Sequence, residues 1–529
     1  MVKRLPELAS AYDAVVIGAG PVGALAANLL GREGLSTLAL DVASEPYNLP
    51  RAIVIDDVSL RLLQPLGVPD AIAGSIADYR ASEYRDASGA LLRRIVQPSA
   101  PYPLSWPPYV SFVQPHLEAA LHEAMRSCSA IDLGLGLRAH LADVAKDGIR
   151  LRVEDVAAGT SREISGKYLL GCDGAKSALR DRLGITLEDL QFDEPWLVVD
   201  VLLVDSASLP EINIQNCDPA RPSTYVRGPG KLRRWEFMLL PGEDPAVMAR
   251  DENVWRLLVG QLRPDQGRIW RAATYRFHAL VANQWRKGDI FLLGDAAHQT
   301  PPFMGQGLNQ GLRDAGNLCW KIAEVVQGRA ANDLLDSYEI ERRPMTRDVI
   351  ETAKQLGRVI CVLDEAAAAE RNRRMKEEVR QGRGEVVRQD LIPSTLSEGF
   401  LMRQADGTPA PGAGRVFPQP WVVSDGVRGR LDDRLAPGFV LITRPDWFPD
   451  ATVQAKADKL NVRFATFGGG GAGVQAVREE DGLIARWMRD LRVDAVLVRP
   501  DHFVFGGASG AEPEAALVTA LAEALRPQR

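Results

Sequence analysis

The sequence predicts an α/β architecture on three observations. A strand, glycine turn, helix and second strand follow one another at the N-terminus, two later apolar strands also end in turns that join glycine to an acid, and the chain is too long for one core. Domains rarely grow past about 250 to 300 residues, so 529 residues imply two or three of them. The first unit reads Tyr12 to Ile17 as a strand, Gly18-Ala-Gly-Pro-Val-Gly23 as a turn, Ala24 to Leu30 as a small-residue helix, and Thr37 to Leu40 as a strand ending in Asp41. Gly18 permits the tight turn, Gly20 lets backbone approach a pyrophosphate, and Gly23 allows close helix packing. Asp41 stands 18 residues beyond Gly23, near the offset of about 20 at which a carboxylate accepts from an adenosine ribose hydroxyl. The order of elements therefore predicts a dinucleotide site.

The uncharged run from Ala14 to Gly31, after Lys3 and Arg4, imitates a signal peptide or a short membrane span. Gly18, Gly20, Pro21 and Gly23 inside it are incompatible with a continuous apolar helix. The reading is a cytoplasmic protein with no membrane partner. With 46% hydrophobic and 25% charged residues, the composition excludes a disordered or collagen-like chain. Sixty-three basic against 69 acidic residues leave no basic excess for a nucleic-acid backbone. Five scattered cysteines without a C-x-x-C pair argue against a disulfide framework and against zinc, so no metal is expected.

The second glycine-and-acid turn is Leu169-Leu-Gly171-Cys-Asp173-Gly174, with Ser177 and Arg180 after it. The third follows the strand Asp289 to Leu293 as Gly294-Asp295-Ala-Ala-His298, and leads through Pro301, Pro302, Gly305 and Gly307 to Leu308 and Asn309. Prolines and glycines before a helix leave free backbone N–H groups at its N-terminus, suited to an anionic or electron-rich ligand edge. Three such clusters point to one long cofactor touched along its length.

These residues resemble the class A flavoprotein monooxygenases of the aromatic hydroxylase type, with the fingerprint at Gly18 to Gly23, the DG motif at Asp173-Gly174 and the GD motif at Gly294-Asp295 in the family's order. Finer matches, Pro50-Arg51 through Asp56-Asp57, Gln114 to Glu118, Cys217 to Pro222, Arg233 to Asp244 and Pro301 to Asn309, are similar to the 3-(3-hydroxyphenyl)propionate hydroxylase group. The likeness is strong from residue 12 to about residue 350. It implies a Rossmann-like FAD-binding domain (1–74, 113–187 and 286–394), an inserted mixed-sheet substrate domain (75–112 and 188–285) and a thioredoxin-like C-terminal domain (395–529). The resemblance further implies FAD, with Gly18, Gly20 and Gly23 at the pyrophosphate, Asp41 at the ribose, and Arg51 and Gln114 along the pyrophosphate and ribityl region. Asp173 and Gly174 would serve FAD and the nicotinamide, Gly294 and Asp295 the ribityl or pyrophosphate side. Pro302, Gly305, Gly307, Leu308 and Asn309 would lie under the isoalloxazine. Asp41 where many relatives carry Glu, followed by Val42, departs from the pattern and would weaken FAD binding.

The implied reaction takes NADH or NADPH as reductant and O2 as oxidant, proceeds through a flavin C4a-hydroperoxide, and hydroxylates a phenol with or without a carboxylate. Asp57 is a candidate proton acceptor for the phenol, against the plainer reading that Asp56 and Asp57 open the helix Leu60 to Leu66. His298 is a second candidate base, against a structural histidine. Period-two alternation puts Arg233, Trp235 and Phe237 on one strand face, with Tyr225 and Arg227 alternating likewise. These five form a candidate substrate clamp, against an ordinary buried sheet. The mixed-charge helix around residues 364 to 388 reads as a solvated face or a homodimer surface. Glycines and prolines gather between 395 and 415 as a boundary. Beyond it, strands at Phe439 to Thr443 and Ala495 to Arg499, a turn at Gly468 to Gly471 and a helix from Glu514 to Leu525 contain no cysteine, which removes disulfide exchange as an activity. The alternatives are a hydroxylase of another ring system, such as a quinolone or polyketide phenol, and a flavin-binding sensor or interaction protein.

Overall fold

The computed structural model describes residues 2–145, 148–204, 209–392, 394–445, 447–468 and 473–526. The N-terminal strand Ala11–Ile17 lies parallel between Thr37–Asp41 and Ser161–Gly171, with Ile131–Leu135 and Ile290–Leu292 extending the sheet on either side. Ala14, Val15 and Val16 are fully buried, as a continuous apolar run covered on both faces requires. The helix Pro21–Arg32 starts on a proline and packs against the helix Gly307–Val326. Gly311 makes this closeness possible, since a Cβ there would stand 2.6 Å from Val22 Cγ2 and 3.1 Å from Gly294 Cα. Among the described residues no helix is long and apolar enough to cross a membrane.

The second sheet has nine strands in the order His298–Gln299, Gly267–Ala282, Leu187–Leu203, Leu232–Met238, Ser223–Arg227, Asn213–Asn216, Ala81–Arg85, Leu91–Val96 and Glu385–Val387. Its strands thus come from four separated stretches of chain, including two beyond residue 285. A three-stranded sheet, Val54–Asp56, Tyr109–Phe112 and Ile76–Asp78, lies at the seam between the two larger ones. The two faces of the nine-stranded sheet differ. Leu197, Val199, Val201, Trp235 and Phe237 form a core with Val254 and Leu258, whereas Trp196, Met238, Val226 and Leu232 pack toward the first sheet and its neighbours. The helix Glu365–Arg380 carries the expected charges as i,i+3 pairs, Glu370 with Arg373 and Glu377 with Arg380. Its other side is docked on the protein's own sheet through Arg93–Glu378, Lys376–Asp86 and the buried Arg371.

The C-terminal unit has a five-stranded sheet in the order Val474–Ala476, Val462–Thr466, Phe439–Thr443, Ala495–Val498 and Val504–Ala508. The first three strands run parallel and the last two antiparallel, with helices Ala451–Lys459, Leu483–Leu491 and Pro513–Leu525. The glycine turn expected at Gly468 to Gly471 lies outside the described residues beyond Gly468. The strand ends at Val498, one residue short of the expected Arg499, because Arg499 turns inward.

Arg499 grips Glu341 with both terminal nitrogens, at 3.0 and 2.8 Å, and also meets Asp501 at 2.6 Å. Lys321 completes the cluster at 2.8 Å from Glu341. Burial alone would raise the Glu341 carboxyl, but Arg499 and Lys321 outweigh it and hold the pKa at about 2. All four side chains are enclosed, so the C-terminal unit is joined to two helices of the first unit through compensated charges. Arg499→Met would leave two buried carboxylates sharing one cation. An uncompensated buried charge costs about 3 to 5 kcal/mol, and urea unfolding of this variant should register a loss of that order.

Candidate cofactor and substrate site

The N-terminal turn is built by steric exclusion. Gly18 has a φ of +95°, and a Cβ there would lie 2.3 Å from the Cys172 carbonyl oxygen; a Cβ at Gly23 would lie 1.8 Å from the Gly18 carbonyl oxygen. Gly20 is different, because a Cβ there would meet nothing within 4 Å. Internal packing does not require that glycine, and its open side is what a pyrophosphate approaching the helix N-terminus needs. Asp41 ends its strand at the rim of this turn, accepting from Ala19 N at 2.7 Å and Ala43 N at 2.8 Å. Each oxygen keeps acceptor capacity for a ribose hydroxyl.

Arg51 is exposed and lies over the Tyr47 ring at 4.4 Å. Gln114 is placed to hold that segment: its side-chain oxygen accepts from Arg51 N at 3.0 Å and Ala52 N at 2.5 Å. At the DG motif, Asp173 accepts from Ser177 Oγ at 2.5 Å and Leu179 N at 3.1 Å, closing the turn through Gly174, whose φ is +80°. Arg180 joins this turn to the GD turn by donating to the carbonyls of Ala175 and Ala296.

The GD turn is fixed by one carboxylate. Asp314 is fully buried and accepts from Gly294 N at 3.0 Å, His298 Nε2 at 2.7 Å and Arg342 Nε at 3.0 Å. Burial pushes its carboxyl up, and His298 and Arg342 more than reverse that. His298 is itself fully buried and stacked on Trp285 at 5.2 Å between ring centres. This is the placement of a structural histidine. Asp295 instead opens to the cleft, and among the described residues its carboxylate has no hydrogen-bond or ion-pair partner. The surrounding protein raises its pKa, against the pull of His298 and Arg51. An unpartnered acceptor beside Arg51 fits a cofactor hydroxyl.

Pro302 opens a short turn, Pro302–Met304, which Gly305 leaves with a φ of +62°. The helix Gly307–Val326 then begins, and a Cβ at Gly307 would again meet nothing. Its first N–H groups have no intrahelical partner. Leu308 is half-buried and Asn309 buried. The Asn309 side chain accepts from Asp56 N at 3.1 Å and Ser59 Oγ at 2.8 Å and donates to Gly305 O at 2.7 Å, bracing the turn from behind. Asp56 caps the helix Asp57–Leu63, which starts earlier than the expected Leu60. Asp57, in its first turn, is pushed up to about 8 by burial and by Asp56, with Arg313 opposing.

The expected clamp faces the other way. Arg233, Trp235 and Phe237 do share a face, but it is the face packed into the outer core with Tyr225. Arg233 donates to the carbonyls of Gly228, Gly230 and Leu232, Trp235 Nε1 to Gln261 at 2.8 Å, and Arg227 pairs with Glu211 at 2.9 Å. Alternation fixes which residues share a face, not which face meets the cofactor. The inward face carries Arg234, paired with the buried Asp200 at 2.8 Å and donating to the Arg51 carbonyl, and Glu236, pushed up to about 7 by burial. Also unforeseen was the set of Gln306, Tyr109, Asp56 and Arg313. Gln306 donates to Tyr109 Oη at 2.6 Å and to Asp56 at 3.2 Å, and Arg313 donates to Asp56 at 2.8 Å. Its members are far apart in sequence, and no local motif announces it.

Residues 11–353 match the FAD binding domain family, and residues 414–524 match the HcaD C-terminal domain. The chain is 32% identical to a probable NADH-specific resorcinol 4-hydroxylase of Rhodococcus jostii (strain RHA1), over 98% of this chain and 96% of the other. It is 34% identical to 3-(3-hydroxy-phenyl)propionate/3-hydroxycinnamic acid hydroxylase 2 of Burkholderia vietnamiensis (strain G4 / LMG 22486), over 97% and 96%. In fold it is similar to the flavin-dependent monooxygenase PieE in complex with FAD and substrate, with a TM-score of 0.82 at 22% identity over 98% of this chain and 99% of that one. The chain belongs to the FAD-dependent aromatic hydroxylases, a family of flavoprotein monooxygenases. The open sides of Gly20 and Gly307 and the unpartnered Asp295 fit FAD.

Gly23→Ala puts a methyl group inside van der Waals contact with backbone that cannot yield. Stripped of flavin and titrated with FAD, this variant should show a dissociation constant at least about tenfold higher than the parent's, equivalent to about 1.4 kcal/mol. An unchanged constant would mean that the turn does not hold the cofactor.

Proposed function

We propose that the protein hydroxylates a phenolic ring, with or without a carboxylate side chain, at the expense of NADH or NADPH and O2. The observation that carries this reading is the end-to-end similarity to hydroxylases named for resorcinol and for 3-(3-hydroxyphenyl)propionate. FAD, when bound, accepts two electrons from the nicotinamide and activates oxygen. Gly18, Gly20 and Gly23 hold the pyrophosphate, Asp41 the ribose, and Arg51, Gly294 and Asp295 the ribityl region, with Gln114, Asp173 and Gly174 supporting the turns around them. Pro302 and Gly305 shape the turn, and Gly307, Leu308 and Asn309 would present backbone N–H groups at a helix N-terminus to the pyrimidine edge of the isoalloxazine. A helix N-terminus favours negative charge by about 0.3 to 1 kcal/mol, more where partly buried. The substrate ring lies between this turn and the inward face of the nine-stranded sheet. There Asp57 or Glu236, both raised toward neutrality by burial, accepts the phenol proton and directs ring electrons to the carbon that is attacked. One ring C–H becomes C–OH, and the second oxygen atom leaves as water.

The division into an FAD-binding domain (1–74, 113–187 and 286–394), a substrate domain (75–112 and 188–285) and a C-terminal domain (395–529) belongs to the same reading, with Glu385–Val387 and His298–Gln299 lent to the substrate sheet. A thioredoxin-like C-terminal domain is supported by its βαβ unit, Phe439–Thr443, Ala451–Lys459 and Val462–Thr466, followed by a helix, an antiparallel strand pair and a closing helix. The exposed side of Glu365–Arg380 would serve a homodimer, and the protein would work in the cytoplasm.

A panel of phenols incubated with the holoenzyme and NADH or NADPH tests the reaction. At least one phenol should stimulate nicotinamide oxidation and be recovered with one added oxygen atom; no stimulation by any of them contradicts the reading.

A further inference from the structure

Several buried cations among the described residues bridge separate elements by meeting carboxylates: Arg61 meets Asp432, Arg234 meets Asp200, Arg342 meets Asp314, and Arg499 meets Glu341. Arg388, only 4% exposed, is different. Among the described residues no carboxylate lies within ion-pair distance of it. It donates to Tyr79 Oη at 3.0 Å and to the Met304 carbonyl, its Nε has no partner, and its guanidinium carbon lies 4.0 Å from the Tyr109 ring centre and 4.9 Å from that of Tyr79. Tyr109, and Tyr84 nearby, are held neutral by burial, which raises both phenol pKa values. Ring faces and hydroxyls therefore surround this cation without neutralising it. Arg233 and Arg371 also lack a carboxylate, but two or more backbone carbonyls accept from each of their guanidinium forks.

The place matters as much as the charge. Met304 ends the turn proposed to lie beneath the isoalloxazine, and Tyr109 accepts from Gln306 at the start of the adjoining helix. Val54, Val226 and Tyr109, with Tyr79 and Ile392 against them, form an apolar wall there. A cation without a counter-charge is costly to enclose, and a guanidinium beside aromatic and aliphatic walls is complementary to an aromatic anion.

We infer that Arg388 receives the negative charge of the ring substrate, a carboxylate or a phenolate oxygen, and so sets the ring's orientation at the flavin turn. This rests on the phenol-hydroxylase reading above. Neither the segment carrying Arg388 nor the charge itself belongs to the glycine motifs, so the role is one of substrate selection, separate from cofactor binding.

Three ligands separate the two sources of charge: 3-(3-hydroxyphenyl)propionate, its amide, which lacks the carboxylate, and 3-phenylpropionate, which lacks the phenol. Their dissociation constants are measured by calorimetry on the wild-type, Arg388→Met and Arg388→Lys holoenzymes. If the carboxylate is received, Arg388→Met weakens the acid and 3-phenylpropionate by at least about tenfold, equivalent to about 1.4 kcal/mol, and leaves the amide within about twofold. If a phenolate is received, the acid and the amide weaken and 3-phenylpropionate does not. Arg388→Lys, which keeps the charge and loses the fork, should fall between. Should Arg388→Met not fold with its flavin, the Lys variant and the wild-type comparison decide. Equal wild-type affinity for all three ligands, or a variant that binds each as the wild type does, overturns the role of Arg388. Wild type that turns over phenols while that happens, or while it binds none of the three, leaves the hydroxylase reading intact and overturns the role of Arg388; wild type that binds none of the three and is stimulated by no phenol removes both.

Discussion

Asp314 is the constraint on which the cofactor site depends. Its two oxygens bind the Gly294 amide, the His298 ring and the Arg342 guanidinium at once, and it sits on the helix whose first turn follows Gly305. One buried carboxylate thereby fixes the GD turn, the helix Gly307–Val326 and the helix Ser337–Ile360 in a single frame. Arg180 extends that frame to the DG turn through Ala296 and Ala175. The parts proposed to meet the cofactor are mostly backbone, and the side chains behind them hold that backbone in place. Asp314 uses both of its oxygens in this buried network, and His298 Nδ1 is left without a partner among the described residues; bonds of this kind in a buried setting hold the backbone rigidly. Rigidity here means that little reorganisation accompanies cofactor binding.

That division explains what was legible in the sequence. Turns of this kind need glycine, proline and a short acid at fixed local spacings, so the turns at Gly18 to Gly23, Asp173-Gly174 and Gly294-Asp295 can be read as candidate cofactor turns without a structure. The βαβ unit that pairs Ala11–Ile17 in parallel with Thr37–Asp41 follows from the same local logic. The substrate side uses side chains brought together across hundreds of residues, and a linear reading carries little of it. Alternation grouped Arg233, Trp235 and Phe237 correctly, yet only the packing of Asp251–Leu257 against that face reveals that it is the outer core. Arg234 and Glu236 occupy the intervening positions of the same strand and look inward. The segment around Arg388 gave no signal beyond a charged stretch after an exposed helix.

The C-terminal unit shows the same limit. Its strands and closing helix were visible as apolar runs, but its attachment depends on Arg499 meeting Glu341, a pairing that spans 158 positions. The attachment reaches the cofactor frame physically, since Lys321 and Asn317, which touch Glu341, lie on the same helix as Asp314 and Gly307. The shared apolar cluster of Trp320, Phe400 and Phe439 adds to this union. The C-terminal unit is therefore anchored to the helix that also carries Asp314 and Gly307.

The central claim is that one elongated dinucleotide is held from its adenosine end to its ring by turns that Asp314 and its neighbours keep in register. Titrating flavin-stripped native protein with FAD and, separately, with FMN, following quenching of flavin fluorescence, tests it most directly. Saturable binding of one FAD per chain, with FMN at least about a hundredfold weaker, is the result expected, since FMN lacks the half that Gly20 and Asp41 would hold. Equal affinity for the two, or no binding of either, would contradict the account.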